Sequence, residues 1–83
     1  MNPITLHLTF SDGSKATAVA SAPDFVAFEQ RFDKSVQSFA SDVRLEHMLF
    51  IAWNASKRKG ETKLEFDEWL ETVENIEVEE AKK

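Results

Sequence analysis

Apolar and polar residues alternate over the first ten positions of the chain. The apolar side chains stand at every second place: Ile4, Leu6, Leu8 and Phe10. This period of two is typical of a half-buried β-strand. The Asp-Gly pair at 12–13 predicts a tight turn, because both positions of a two-residue hairpin turn must tolerate a positive φ. We therefore expect a β-hairpin over residues 4–20, whose second strand covers 15–20.

The expected two-residue turn also fixes the register of the hairpin. In that register Leu6 and Leu8 lie opposite Val19 and Thr17. Because an isolated two-stranded hairpin is only marginally stable in water, its apolar face needs helices to cover it.

The next apolar residues recur at helical spacing and predict a first helix over about 24–39. Asp24 is the expected N-cap. Phe25, Phe28 and Phe32 follow at positions i, i+3 and i+7, which lie on one face of a helix.

A second helix is expected over about 42–59, capped by Ser41 or Asp42. Its apolar stripe is broad and consists of Leu45, Met48, Leu49, Phe50, Ile51, Ala52 and Trp53. A helix that is apolar around more than half its girth is expected at the centre of the fold. The bases at 57–59 suit the negative end of the helix dipole, and Gly60 suits the position after the helix.

A third helix is expected over about 65–75, where Phe66, Trp69, Leu70 and Val73 share one face. The remaining residues 77–83 are mostly charged and are expected to form a flexible tail. The pattern thus predicts an α+β fold, with an N-terminal β-hairpin packed on about three α-helices in a single compact domain over 1–76.

The composition limits the functions that this fold can serve. A chain of 83 residues buries roughly 60–65% of its surface, which leaves room for one core and no deep catalytic cleft. There is no cysteine, no apolar run of membrane-spanning length, and no signal-peptide pattern at the N-terminus. The net charge of −5 disfavours binding to nucleic acid. We expect a soluble protein that acts in the cytoplasm, with neither a nucleic acid nor a membrane as its partner.

The negative charge is concentrated near the C-terminus. Residues 61–80 contain nine acids and one base, a local charge of −8, whereas residues 41–60 carry a charge of +2.

The sequence contains no recognisable catalytic or metal-binding constellation. The two histidines, His7 and His47, have no partner at metal-ligand spacing. The SDGS string at 11–14 lacks the further glycines and the lysine of a phosphate-binding loop. We expect no enzymatic activity, no catalytic residues, no metal, no cofactor and no small-molecule substrate.

The aromatic residues are the best indication of a binding role. Seven Phe and two Trp are many for a core of this size, although most of them are expected to fill it. Tryptophan is enriched at protein interfaces, and methionine adapts to varied surfaces. The candidate partner-binding residues are Met48, Trp53, Phe66 and Trp69.

Three strings carry a resemblance to a known family: DFVAFEQRFDKS at 24–35, RLEHMLFIAWNASKR at 44–58 and FDEWLETVE at 66–74. Over about residues 4–76 the chain resembles the small tail assembly chaperones of long-tailed bacteriophages, in the short form made without a ribosomal frameshift. The motifs are short, apolar and degenerate.

The resemblance implies a partner and a role. Such chaperones bind the tape measure protein, keep it soluble, help recruit tail tube subunits and are absent from the mature virion. The chain would then act in the host cytoplasm. Unpaired hairpin edges and surplus aromatics would also permit self-association.

A different class of function stays open on the residues alone. A small acidic phage-encoded protein can inhibit a host enzyme or mimic nucleic acid. Such a mimic would spread its acids over one continuous face, whereas here the bases at 57–59 interrupt the acidic field.

Overall fold

The structure contains the predicted hairpin and helices, and a third strand enlarges the sheet. The computed structural model describes residues 3–35 and 44–79. Along the chain the elements are β1 (Ile4–Phe10), β2 (Lys15–Ala20), α1 (Ala22–Phe32), α2 (Leu45–Arg58), α3 (Phe66–Leu70) and β3 (Val73–Glu79). The three strands form an antiparallel sheet in the order β2-β1-β3. The α+β class, with an N-terminal hairpin packed on helices, is confirmed.

The hairpin has the predicted strands but not the predicted register. Phe10 N–H donates to the Ser14 carbonyl at 2.8 Å, and Gly13 N–H donates to the Phe10 carbonyl at 2.9 Å, which leaves three residues in the loop. Gly13 takes a φ of 91°, as the last residue of such a loop requires. The added loop residue shifts the pairing by one position, so the expected pairing of Leu6 and Leu8 was wrong.

The corrected register brings small residues onto the buried face. Leu6 lies opposite Ala18, and Leu8 lies opposite Ala16. Leu6, Leu8 and Ala18 are buried. Because alanine side chains are short, they allow a helix to pack close to this strand.

The first helix is shorter than expected and begins earlier. Its N-cap is Ser21, and Asp24 is the third helical residue, so the prediction of Asp24 as the cap was wrong. The helix ends at Asp33, whose φ of 55° is left-handed. The part of the prediction that covers 36–39 lies outside the described residues.

The second helix has the central position that its broad apolar stripe predicts. α2 packs against α1, α3, β2 and β3. It begins after Arg44, and the predicted caps Ser41 and Asp42 lie outside the described residues.

The predicted third helix over 65–75 is largely wrong. α3 has only five residues and ends at a turn where the Thr72 hydroxyl donates to the Trp69 carbonyl at 2.7 Å. The chain then forms β3, which pairs with β1 from Phe10↔Val73 to Thr5↔Glu79. Residues 77–79 therefore belong to a strand and not to a flexible tail, and residues 80–83 lie outside the described part.

The helices cover one face of the sheet, and the core lies between them. It contains side chains from all six elements: Leu6, Leu8, Ala18, Ala20, Phe25, Phe28, Phe50, Ile51, Ala52, Ala55, Phe66, Trp69 and Ile76. The opposite face of the sheet is open and carries polar residues, including His7, Thr17 and Glu77.

We predict that the third strand contributes to stability through Ile76. The substitution Ile76→Ala removes buried methyl groups and leaves a cavity, so it should lower the free energy of unfolding by about 2–4 kcal/mol. Glu77→Ala, on the exposed neighbour, should change it by less than about 0.5 kcal/mol. Urea denaturation followed by circular dichroism measures both values. Equal effects of the two substitutions would contradict a packed third strand.

Candidate functional site

A buried carboxylate joins the start of α1 to the end of α2. Asp24 is 0% exposed. Its Oδ2 accepts hydrogen bonds from Arg58 Nη2 at 2.8 Å and from the Ser21 backbone N–H at 2.9 Å. Its Oδ1 accepts from Asn54 Nδ2 at 2.8 Å and from Arg58 Nε at 3.2 Å. The hydrogen bonds from Asn54 and Arg58 of α2 all end on this one carboxylate of α1, so they hold the two helices in a defined arrangement.

These contacts determine the ionisation of Asp24. Burial by itself disfavours the charged carboxylate, but the hydrogen bonds from Arg58, Ser21 and Asn54 and the charge of Arg58 outweigh it. The net result is a pKa of Asp24 below its ordinary value of 3.8. Because the pKa of Asp24 is lower in the folded state, the charged pair stabilises the fold at pH values above 3.8. This stabilisation is lost as the pH falls further.

We predict that Asp24→Asn destabilises the protein in a pH-dependent way. At pH 7 the free energy of unfolding should fall by about 1–3 kcal/mol, because the charge-assisted bonds to Arg58 are lost. Below about pH 4 the gap in unfolding free energy between wild type and variant should narrow, since the unfolded wild-type chain takes up a proton on Asp24 at a higher pH than the folded protein does. Urea denaturation at a series of pH values measures the gap. A gap that stays constant down to pH 2 would contradict this assignment.

The aromatic residues of α1, α2 and α3 form a continuous row of ring contacts. Neighbouring centroids are 4.7–5.7 Å apart along the row, whose members are Phe28, Phe32, His47, Phe50, Trp53 and Phe66. The Arg31 guanidinium lies 5.0 Å from the Phe66 centroid and 5.2 Å from that of Phe50. Lys57 Nζ lies 5.1 Å from the Trp53 centroid. The outer side of the row is therefore partly covered by cations.

The predicted partner-binding residues do not form one exposed surface. Trp69 is 3% exposed, and its ring packs edge-on against Phe10 with 6.4 Å between the ring centroids. Phe66 is 7% exposed. Both are core residues, which counts against their direct contact with a partner. Trp53 is partly exposed, and its Nε1 donates to the Leu64 carbonyl at 2.9 Å. Met48 is also partly exposed.

A different set of residues, most of them apolar, forms a groove that we call the leucine groove. It lies between the start of α2, the end of α3 and the start of β3, has a volume of about 190 Å³, and is lined mainly by Leu45, Leu49, Leu70, Val73, Glu74 and Ile76. Leu45 is 61% exposed, and the next three are partly exposed. A concavity lined mainly by apolar residues, with the exposed Leu45 and the partly exposed Leu49 and Leu70 among them, is the kind of surface that binds apolar side chains of a partner.

Sequence reasoning missed this groove for a physical reason. Leu45 and Leu49 were recognised as part of the apolar stripe of α2, but a stripe does not show which residues a neighbour covers. The groove also needs β3 as its second wall, and β3 was not predicted. The one available signal was that α2 is apolar on more sides than a single sheet can cover.

The two histidines occupy contrasting environments. His7 is exposed on the open face of the sheet, where Nε2 lies 2.7 Å from Glu79 Oε1 and Nδ1 lies 3.3 Å from Thr17 Oγ1. His47 is buried between the rings of Phe28 and Phe32, and its Nδ1 has no hydrogen-bond partner within the described part of the chain.

The described residues were also compared with the requirements of a metal site and of a membrane-spanning helix. Among residues 3–35 and 44–79, no three His, Asp or Glu side chains are grouped so that they could hold a metal ion. Over the same residues, every helix is too short or too polar to span a membrane.

Comparison of the chain with protein-family models, with curated protein sequences and with solved structures gives no significant match.

Proposed function

We propose that this protein is a tail assembly chaperone of a long-tailed bacteriophage. In this role it binds the tape measure protein in the host cytoplasm, keeps it soluble, helps recruit tail tube subunits and is not retained in the virion. The proposal combines the sequence resemblance over residues 4–76 with the leucine groove, and it assigns the protein a binding role without catalysis.

The leucine groove is the observation that carries this proposal. A tape measure protein is long and largely helical, so it presents apolar side chains that aggregate unless they are covered. A groove walled by Leu45, Leu49, Leu70 and Val73 can take one or two such side chains at a time. Burial of an aliphatic side chain is worth about 1.5–3 kcal/mol, which suits a reversible chaperone contact.

The charge of the chain supports the same role. A chaperone bound to an apolar client must keep the complex in solution, and net charge opposes association between loaded complexes. The acids lie next to the groove: Glu74 lines it, and Glu71 directly follows Leu70. Met48 and Trp53 are the two predicted binding residues that are partly exposed, and neither lines the leucine groove.

We predict that Leu45→Asp abolishes chaperone activity without unfolding the protein. Leu45 is largely exposed and stands at the start of α2, where an acid is favourable. A charge at this position makes the groove unsuitable for apolar side chains. Coexpression with the tape measure protein of the same phage, followed by centrifugation, should show a loss of soluble tape measure protein of about tenfold.

Val26→Asp is the matched control for this experiment. Val26 is 52% exposed, lies on α1 and does not line the groove. This variant should keep the tape measure protein soluble as wild type does. If both variants are folded by circular dichroism and keep the tape measure protein soluble equally well, the groove is not the binding site. A wild-type protein that never raises the soluble fraction would remove the proposal itself.

A further inference from the structure

The outer edge of β3 is a second surface suited to a partner. In the sheet order β2-β1-β3, this edge pairs with no other strand of the described chain. Unpaired edge strands present backbone N–H and C=O groups to any strand that can lie alongside them. The edge is seven residues long, which is a full strand length.

The hydrogen-bond pattern shows which backbone groups this edge offers. Phe10 N–H donates to Ser14, on the β2 side of β1, and Ser11 N–H donates to the Thr72 carbonyl, on the β3 side. Because bonding directions alternate along a strand, the odd-numbered residues of β1 bond to β3. Their partners on β3 include Glu77, opposite His7. The N–H and C=O groups of Ile76 and Val78 therefore point outward, toward the free edge.

The side chains along β3 select the charge of a partner strand. Glu77 is exposed on the open face of the sheet, and Glu74 lines the leucine groove. Neither carboxylate has an ion-pair partner within the described residues, whereas Glu79 Oε1 lies at hydrogen-bond distance, 2.7 Å, from His7 Nε2. On the buried face, Ile76 and the partly exposed Val78 are apolar. The open face of this edge is therefore acidic, and the face toward the helices is apolar apart from Glu74 at the leucine groove.

We propose that the edge of β3 binds an extended segment in which basic and apolar residues alternate. The segment extends the sheet by one strand. Its backbone bonds to Ile76 and Val78, its basic side chains lie beside Glu77 on the open face, and its apolar side chains lie beside Val78 and the leucine groove. This inference stands on the sheet edge and does not depend on the identity of the client proposed above.

Charge argues against a second copy of the chain as the occupant. Pairing β3 with another β3 places acidic strands side by side, and like charges on neighbouring strands are unfavourable. The other free edge, β2, has a single base at Lys15 and otherwise small, uncharged residues. A basic partner strand satisfies the unpaired acids better than either strand of this chain.

The test uses a peptide of about nine residues, enough to span β3, in which lysine and valine alternate. Its binding to the full chain is measured by fluorescence anisotropy, and its effect on the backbone amides by hydrogen exchange. Binding should weaken at least about tenfold when salt is raised to roughly 0.5 M. On binding, the amides of Ile76 and Val78 should gain protection from exchange, because they become hydrogen-bonded to the peptide.

Val78→Pro tests the backbone contribution. Proline removes the outward N–H and leaves the bonds between β3 and β1 in place, and edge strands tolerate it at such positions. Peptide affinity should fall at least about tenfold, whereas Val78→Ala, which keeps the N–H, should stay within about threefold of wild type. A peptide alternating glutamate and valine should not bind.

Four results would overturn the proposal. One is equal binding of the lysine–valine peptide and a peptide of the same composition with its lysines and valines in separate blocks. Another is unchanged affinity in a folded Val78→Pro variant. The third applies even if that variant fails to fold: peptide binding to the wild-type chain without new protection at Ile76 and Val78. Concentration-dependent dimerisation through β3 in the absence of peptide would also contradict it.

Discussion

The arrangement of the whole domain depends on the buried carboxylate of Asp24. Only Ser21 separates β2 from α1, so the direction of α1 is set where the chain leaves the sheet. The contacts of Asp24 to Ser21, Asn54 and Arg58 then fix where the end of α2 must lie. A buried ion pair adds little net stability compared with apolar packing. However, an arrangement that separates Asp24 from Arg58 leaves a charge buried and unpaired, and this penalty selects one packing of α1 on α2.

The position of α2 explains the surfaces that stay open. The alanines of β2, Ala16, Ala18 and Ala20, face the helix layer, and short side chains allow α2 to approach this side of the sheet. On the same face of the sheet, α2 covers β3 less completely than it covers β2. Leu45 and Leu49 at the start of α2, together with β3, then enclose the leucine groove. The groove lies at the start of α2, and Arg58 anchors the opposite end of this helix to Asp24.

Local patterns predicted the elements whose determinants lie close together in sequence. The strands of the hairpin and most of α2 follow from alternation and helical spacing over a few residues. In the structure Ser21 and Asp24 form a capping box, so Asp24 takes the third helical position and not the predicted cap. The partner of Asp24 was not predictable in this way. Arg58 lies 34 residues further along, and in sequence it is indistinguishable from a base that complements the helix dipole.

β3 was missed because it is an edge strand whose partner, β1, is distant in the chain. Alternating apolar residues and glutamates over 76–79 fit a charged tail as well as they fit an edge strand, and only pairing with β1 decides between them. A charged tail and an edge strand have similar sequences because edge strands also carry charged residues, which prevent unwanted pairing. The same acids that made the strand resemble a charged tail would place like charges side by side if two copies of β3 paired. Glu74, beside the leucine groove, and Glu77, on the open face, place a negative charge next to each of the two proposed binding surfaces, where a like charge on a partner would be unfavourable.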